Sequence, residues 1–153
     1  MSESVQKIVI GSDHGGFDMK EFIKAELEKK GVDIKDVGTH NSDSVDYPVY
    51  AAQVAKAVSK GEFEKGILIC GTGLGVSMTA NRFKGVRAAL CTSVEMARLS
   101  REHNDANVLV LGGRITPQET ASAILGTWLS TGFEGDRHIR RINLIDEIAI
   151  KED

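Results

Sequence analysis

Residues 65–75 read KGILICGTGLG. An apolar, β-branched run, Lys65–Cys70, passes directly into a loop with glycines at 71, 73 and 75. The segment Val76–Phe83 that follows has helical patterning. A buried strand, a tight glycine turn and a helix make one β–α unit. The same alternation extends to both sides. Lys7–Ser12 (KIVIGS) predicts a strand, and Met19, Phe22, Ile23 and Leu27 recur at helical spacing up to Gly31, a capping glycine. Val32–Val37 predicts a weak strand, Asn41–Pro48 a loop and Val49–Ser59 a helix. Downstream, Val86–Cys91 and Asn107–Leu111 read as strands. Ser93–Glu102, a segment from Pro117 to Leu129 and Ile139–Ile150 read as helices, with a turn at Gly132–Arg137.

Strand and helix thus alternate five times, the pattern of a parallel sheet with helices on both faces. The second strand is expected at an edge beside the first. In such sheets ligands sit beyond the carboxyl ends of the strands. The segments that matter are then Ser12–Gly16, Gly38–His40, Cys70–Gly75, Cys91–Ser93 and Gly112–Arg114.

Composition narrows the function. The chain has 153 residues, 41% apolar and 27% charged, the size and balance of one ordinary domain. Its net charge of −3 argues against nucleic acid or an anionic membrane as partner. No apolar run has the ~18 residues needed to span a bilayer. The N-terminus has no basic segment followed by a long apolar stretch, so a cytoplasmic location is expected. The two cysteines, Cys70 and Cys91, form no CxxC and no Cys/His cluster, so no structural metal is expected.

Each candidate site residue has a functional and a structural reading. Gly71, Thr72, Gly73, Leu74 and Gly75 can present backbone N–H groups to an oxyanion, or can simply make a tight strand–helix turn. The loop is not a dinucleotide fingerprint, because Val76 stands where the third glycine belongs, and it is not a Walker A loop, because no Lys follows. Cys70 could be a nucleophile or a base, or a small core residue. Cys91 reads as structural. Asp13 and His14 could handle sugar hydroxyl protons or bind an anion, or Asp13 could cap a helix. Arg137 and Arg141, at i and i+4, could clamp a phosphate, or could pair with Glu134, Asp136 or Asp146. His103 with Asn104 could be an acid with an orienting amide, or a helix C-terminal pair. His40 is given no role.

Taken in order, GSDHGGF, Asp46-Tyr47-Pro48, CGTGLGVSMTANRFKGVRAALC, REHNDANVLVLGGR and GDRHIRRI closely resemble the type B ribose-5-phosphate isomerases, which group with the galactose- and allose-6-phosphate isomerases. The resemblance runs from Lys7 to about Ile148. It implies a three-layer α/β/α sandwich with a Rossmann-like five-stranded parallel sheet, in one domain over residues 1–153. It implies an aldose–ketose isomerase acting on a phosphorylated sugar, with no cofactor and no metal. Cys70 would move the proton between C1 and C2. Gly71–Gly75, with Thr72, would hold the enediolate oxygen. Asp13 and His103 would assist ring opening, with His103 the proton donor. His14, Arg137 and Arg141, with Arg114, would hold the phosphate, and Asn104 and Tyr47 would contact sugar hydroxyls. The resemblance also implies a homodimer, or a tetramer, with sites shared between subunits. His103, Asn104 and Arg114 would then enter from the partner, and the C-terminal helix of about 139–150 would pack on it.

Three alternatives stand beside this reading. One is the same chemistry on a six-carbon aldose 6-phosphate, since one CH(OH) unit is not readable from sequence. The second is a non-catalytic sugar-phosphate-binding subunit, against which Cys70, Thr72 and His103 together argue. The third is a nucleotide-binding domain, against which the missing third glycine argues.

Overall fold

A computed structural model describes residues 6–151. The first five and last two residues of the domain expected over 1–153 lie outside the described residues. The chain runs β1 (Lys7–Ser12), α1 (Phe17–Lys29), β2 (Asp33–Asp36), α2 (Tyr47–Ser59), β3 (Lys65–Cys70), α3 (Leu74–Ala80), β4 (Ala88–Leu90), α4 (Val94–Glu102), β5 (Val108–Gly112), α5 (Gln118–Ser130) and α6 (Arg137–Lys151). A short 3-10 turn, His14–Gly16, joins β1 to α1.

The five strands are parallel, in the order β2-β1-β3-β5-β4, with β2 at the edge beside β1 as expected. Side chains of successive strand residues leave the sheet on opposite faces. Ile8, Ile10, Ile67, Ile69, Leu109 and Leu111 pack with Ile23 and Leu27 of α1, Ala97 of α4 and Ile124 and Trp128 of α5. Val9, Leu68, Cys70, Val108 and Val110 pack with Val54, Ala55 and Val58 of α2 and Val76 and Ala80 of α3. Strands buried on both faces are continuously apolar, and that is why β1, β3 and β5 are plain in the sequence.

The edge strands are shorter than expected, four residues for β2 and three for β4. Each pairs on one side only, and β4 is half-buried throughout. Helix starts also shift. The third helix begins at Leu74, inside the glycine run. Pro48 lies in the first turn of α2, so that helix begins at Tyr47. Ser93 caps α4 by accepting the Met96 N–H, and Pro117 precedes α5.

Candidate active site

The order of strands reverses between β1 and β3, and there the first group of expected site residues converges. Asp13 follows β1 and is buried, and its Oδ1 accepts the Gly16 N–H at 3.0 Å. The capping role is therefore real. His14 accepts the Val45 N–H on Nδ1 at 3.1 Å. A neutral ring accepting at Nδ1 carries its proton on Nε2, which is left to donate. Cys70 ends β3, buried on the α2–α3 face, and its Sγ accepts the Gly73 N–H at 3.2 Å. Thr72 Oγ1 accepts the Leu74 N–H at 3.1 Å.

The glycines hold this geometry by close approach. Gly73 has φ of +84°, and a Cβ there would come within 2.5 Å of Leu90 Cδ1. A Cβ on Gly75 would come within 2.5 Å of the Tyr47 ring, so Tyr47 lies across the loop. Arg114 belongs to this group as well. Its guanidinium carbon is 3.2 Å from where a Gly15 Cβ would stand, and its Cδ is 3.4 Å from the equivalent point on Gly71. The expectation that grouped Arg114 with His103 is corrected: Arg114 follows β5, whose carboxyl end pairs with Cys70.

His103 and Asn104 lie at the other end of the sheet. They precede β5, and in the parallel register Val108 pairs with Gly66 while Gly112 pairs with Cys70. The four residue steps between those two pairs alone span about 13 Å. His103 is the C-cap of α4. The loop after it is firmly held. The Arg101 Nη1 donates to Asp105 Oδ1 (2.7 Å) and to the Ala106 carbonyl (2.8 Å). The Arg87 Nε donates to the carbonyls of Asn104 (2.9 Å) and Asp105 (3.2 Å). Asn107 Oδ1 accepts the Arg87 N–H at 2.8 Å. Arg101, Asp105 and Asn107 are thus the scaffold of the REHNDAN motif, a role that sequence reasoning did not assign. Asn104 is exposed and adjoins a cavity of about 340 Å³ between β4 and Ile145 of α6.

Arg137 and Arg141 join this second group, because the Glu134 N–H donates to the Glu102 carbonyl and the His138 ring stacks on His103. Both arginines are exposed, and two of the three acidic partners considered for them, Asp146 and Glu134, have other neighbours. Asp146 accepts the Gly85 N–H at 3.0 Å, and Glu134 lies 3.7 Å from His138 Nε2. Within one chain, then, Asp13, His14, Tyr47, Cys70–Gly75 and Arg114 form one group of candidate site residues at the carboxyl end of the sheet. His103, Asn104, Arg137 and Arg141 form another at the far end of the sheet.

Residues 8–145 match the family model described as Ribose/Galactose Isomerase. The chain belongs to the ribose/galactose isomerase family. It is 49% identical over 144 residues to ribose-5-phosphate isomerase B of Escherichia coli K12, covering 94% of this chain and 97% of that one. Among solved structures, ribose-5-phosphate isomerase B of Clostridium thermocellum superposes with a TM-score of 0.94 at 51% identity, covering 97% of this chain and 100% of that one. The Mycoplasma genitalium ribose-5-phosphate isomerase B with bound ribulose-5-phosphate gives 0.92 at 41% identity, covering 97% and 99%. The three-layer, five-stranded architecture of this isomerase-family chain is the one its motifs implied. No helix among the described residues is long and apolar enough to cross a membrane.

Proposed function

We propose that the chain is a type B ribose-5-phosphate isomerase, interconverting D-ribose 5-phosphate and D-ribulose 5-phosphate through a cis-enediolate. One observation carries the assignment of chemistry: a strand-end thiol with a backbone N–H directed at its sulfur, set beside the Gly71–Gly75 loop. His103 gives a proton to the ring oxygen as the C1–O4 bond breaks, and the C1 hydroxyl proton leaves toward Asp13. The Cys70 thiolate then takes the C2 proton. Charge develops on O1 and is held by loop N–H groups, which in such sites supply about 3 kcal/mol. A proton passes from O2 to O1, and Cys70 returns its proton to C1. His14, Arg114, Arg137 and Arg141 bind the phosphate, whose remote binding energy positions the carbons. Tyr47 and Asn104 contact hydroxyls.

Two half-sites at opposite ends of one sheet make one site only if a second copy supplies the missing half. We infer a homodimer with shared sites. The exposed Ile139, Ile145 and Ile148 on α6 support that helix as part of the contact.

The test is NMR of the purified chain with D-ribose 5-phosphate in D₂O containing a chelator, beside Cys70→Ala. Ribulose 5-phosphate with deuterium at carbon is expected from the native chain, with the variant slower by about 10²–10⁴-fold. Turnover only of allose or galactose 6-phosphate would move the substrate to six carbons. Turnover that survives in Cys70→Ala would overturn the base.

A further inference from the structure

His138 belongs to none of the roles above, yet its setting is unusual. It is the buried residue at the start of α6, 6% exposed, while Arg137, Ile139, Arg140 and Arg141 around it are exposed. Its Nε2 is buried and has no hydrogen-bond partner among the described residues, with the Glu134 carboxylate 3.7 Å away. A position kept only for packing would be filled at lower cost by an apolar ring. The ring of His138 stacks on that of His103, with centroids 4.4 Å apart and planes 15° from parallel.

The two rings differ in burial. The His138 backbone N–H donates to the Gly135 carbonyl at 3.0 Å, and the Phe133 ring lies 6.5 Å from the His138 ring at 55°. The Glu134 N–H ties the same turn to the end of α4. His103, by contrast, stands half-buried on a helix terminus, with its backbone N–H bonded to the Leu99 carbonyl. The more enclosed ring thus lies face to face with the more exposed one.

We propose that His138 is a positioning residue for ring opening: its stacked imidazole holds the plane of the His103 ring in the orientation that delivers a proton to the sugar ring oxygen. The inference rests on the reading of His103 as the ring-opening acid. The electrostatics agree with it. Burial pushes the His138 pKa down, and the charges of Arg137, His103 and Arg141 push it further against the opposing pull of Glu134. A neutral ring face accepts a protonated imidazole without charge repulsion. Ligand atoms of His103, Glu134 and His138 lie within 4.8 Å of one another. Two nearly parallel rings, however, direct their lone pairs side by side and not at a common ion, so the cluster reads as a stack and not a chelate.

Two readouts separate ring opening from the later steps. Net conversion of ribose 5-phosphate includes ring opening. Exchange of the C1 proton of ribulose 5-phosphate in D₂O does not, because the phosphorylated 5-oxygen leaves that ketose open-chain. For His138→Ala, net conversion is expected to fall about tenfold while exchange stays within about twofold of the native rate. His138→Phe, which keeps a stacking ring, is expected to recover net conversion to within about threefold. His103→Gln is measured beside them and is expected to show the same split. Equal loss in both readouts, no loss, or a Phe variant as poor as the Ala variant would overturn the proposal. If His103→Gln shows the split and His138→Ala does not, the positioning role alone fails. If His103→Gln leaves net conversion intact, the assignment of His103 fails and takes the positioning role with it.

Discussion

Cys70 and Cys91 differ by environment alone. Cys70 ends a central strand with the Gly73 N–H on its sulfur. Cys91 follows the edge strand β4 and points into the opposite core, with Ala97 and Leu111 in the same cluster. Burial pushes the Cys91 thiol up to about 11, against a smaller opposing effect of a hydrogen bond with Ser100. At pH 8 such a thiol is roughly one part in a thousand thiolate. Cys91 is therefore expected to stay unmodified under iodoacetamide for as long as the chain stays folded, with peptide mass spectrometry locating any label on Cys70. Cys91→Ala is expected to keep native kcat. Rapid labelling of Cys91 in the folded protein would contradict the environment described. Both thiols read alike as strand-terminal cysteines; only the glycine run behind Cys70 set them apart in the sequence.

At the scale of elements, β2 is held by charge. Its four residues alternate between exposed and half-buried, and it pairs only with β1. Lys20 of α1 is fully buried, and its Nζ donates to Asp36 Oδ2 at 2.5 Å; Lys24 donates to the same oxygen at 2.9 Å. Asp36 Oδ1 accepts the Gly38 N–H, and the Gly38 carbonyl and Thr39 N–H bond to Ser12 beside Asp13. The clamp therefore braces the loop next to the first half-site. Asp36→Asn leaves the buried Lys20 ammonium without its partner and is expected to cost about 3 kcal/mol, read from the urea midpoint at pH 7. Burial raises the Asp36 pKa, but hydrogen bonds from Lys20, Lys24 and Gly38 outweigh it and the net shift is downward. A carboxylate with a lowered folded pKa stabilises above its unfolded pKa, and that contribution is lost as pH falls through the folded value. The native urea midpoint is thus expected to fall on acidification below the usual carboxylate range, and Asp36→Asn to show less of that fall. An identical acid limb in the variant would rule out Asp36 as its source. Lys20 was readable in principle: it lies at i−3 and i−7 from Ile23 and Leu27, on the apolar stripe of α1. A lysine there signals a buried partner, and only the fold names Asp36, since the two meet across the gap between α1 and the edge of the sheet.

At the scale of the whole molecule, the proposed homodimer with shared sites makes a stoichiometric prediction. Cys70→Ala and His103→Gln damage different half-sites, so a mixed dimer carries one site with both lesions and one with neither. Mixing the two variants under conditions that exchange subunits is expected to restore about a quarter of native activity on ribose 5-phosphate, because half the dimers are mixed and one of their two sites is intact. Sedimentation would show the dimer directly. No recovery between subunits shown to have exchanged would place both residues in one chain's site and overturn the sharing.

The sequence by itself determined the alternation of strand and helix and the identity of the central strands, and it supplied the set of candidate site residues. The first two follow because strands buried on both faces and amphipathic helices must write their burial into local patterning. The third came from motif order and not from periodicity. Tertiary structure decided what no local pattern encodes. It set the lengths of the edge strands, where one-sided pairing leaves little apolar signature. It placed Arg114 beside Gly71 and His103 at the far end of the sheet, a separation that the parallel register of β3 and β5 imposes. It brought His138, one arginine-flanked histidine in a basic stretch, face to face with His103. Contacts between residues 35 positions apart depend on where helices end and turns point, and those are properties of the packed whole.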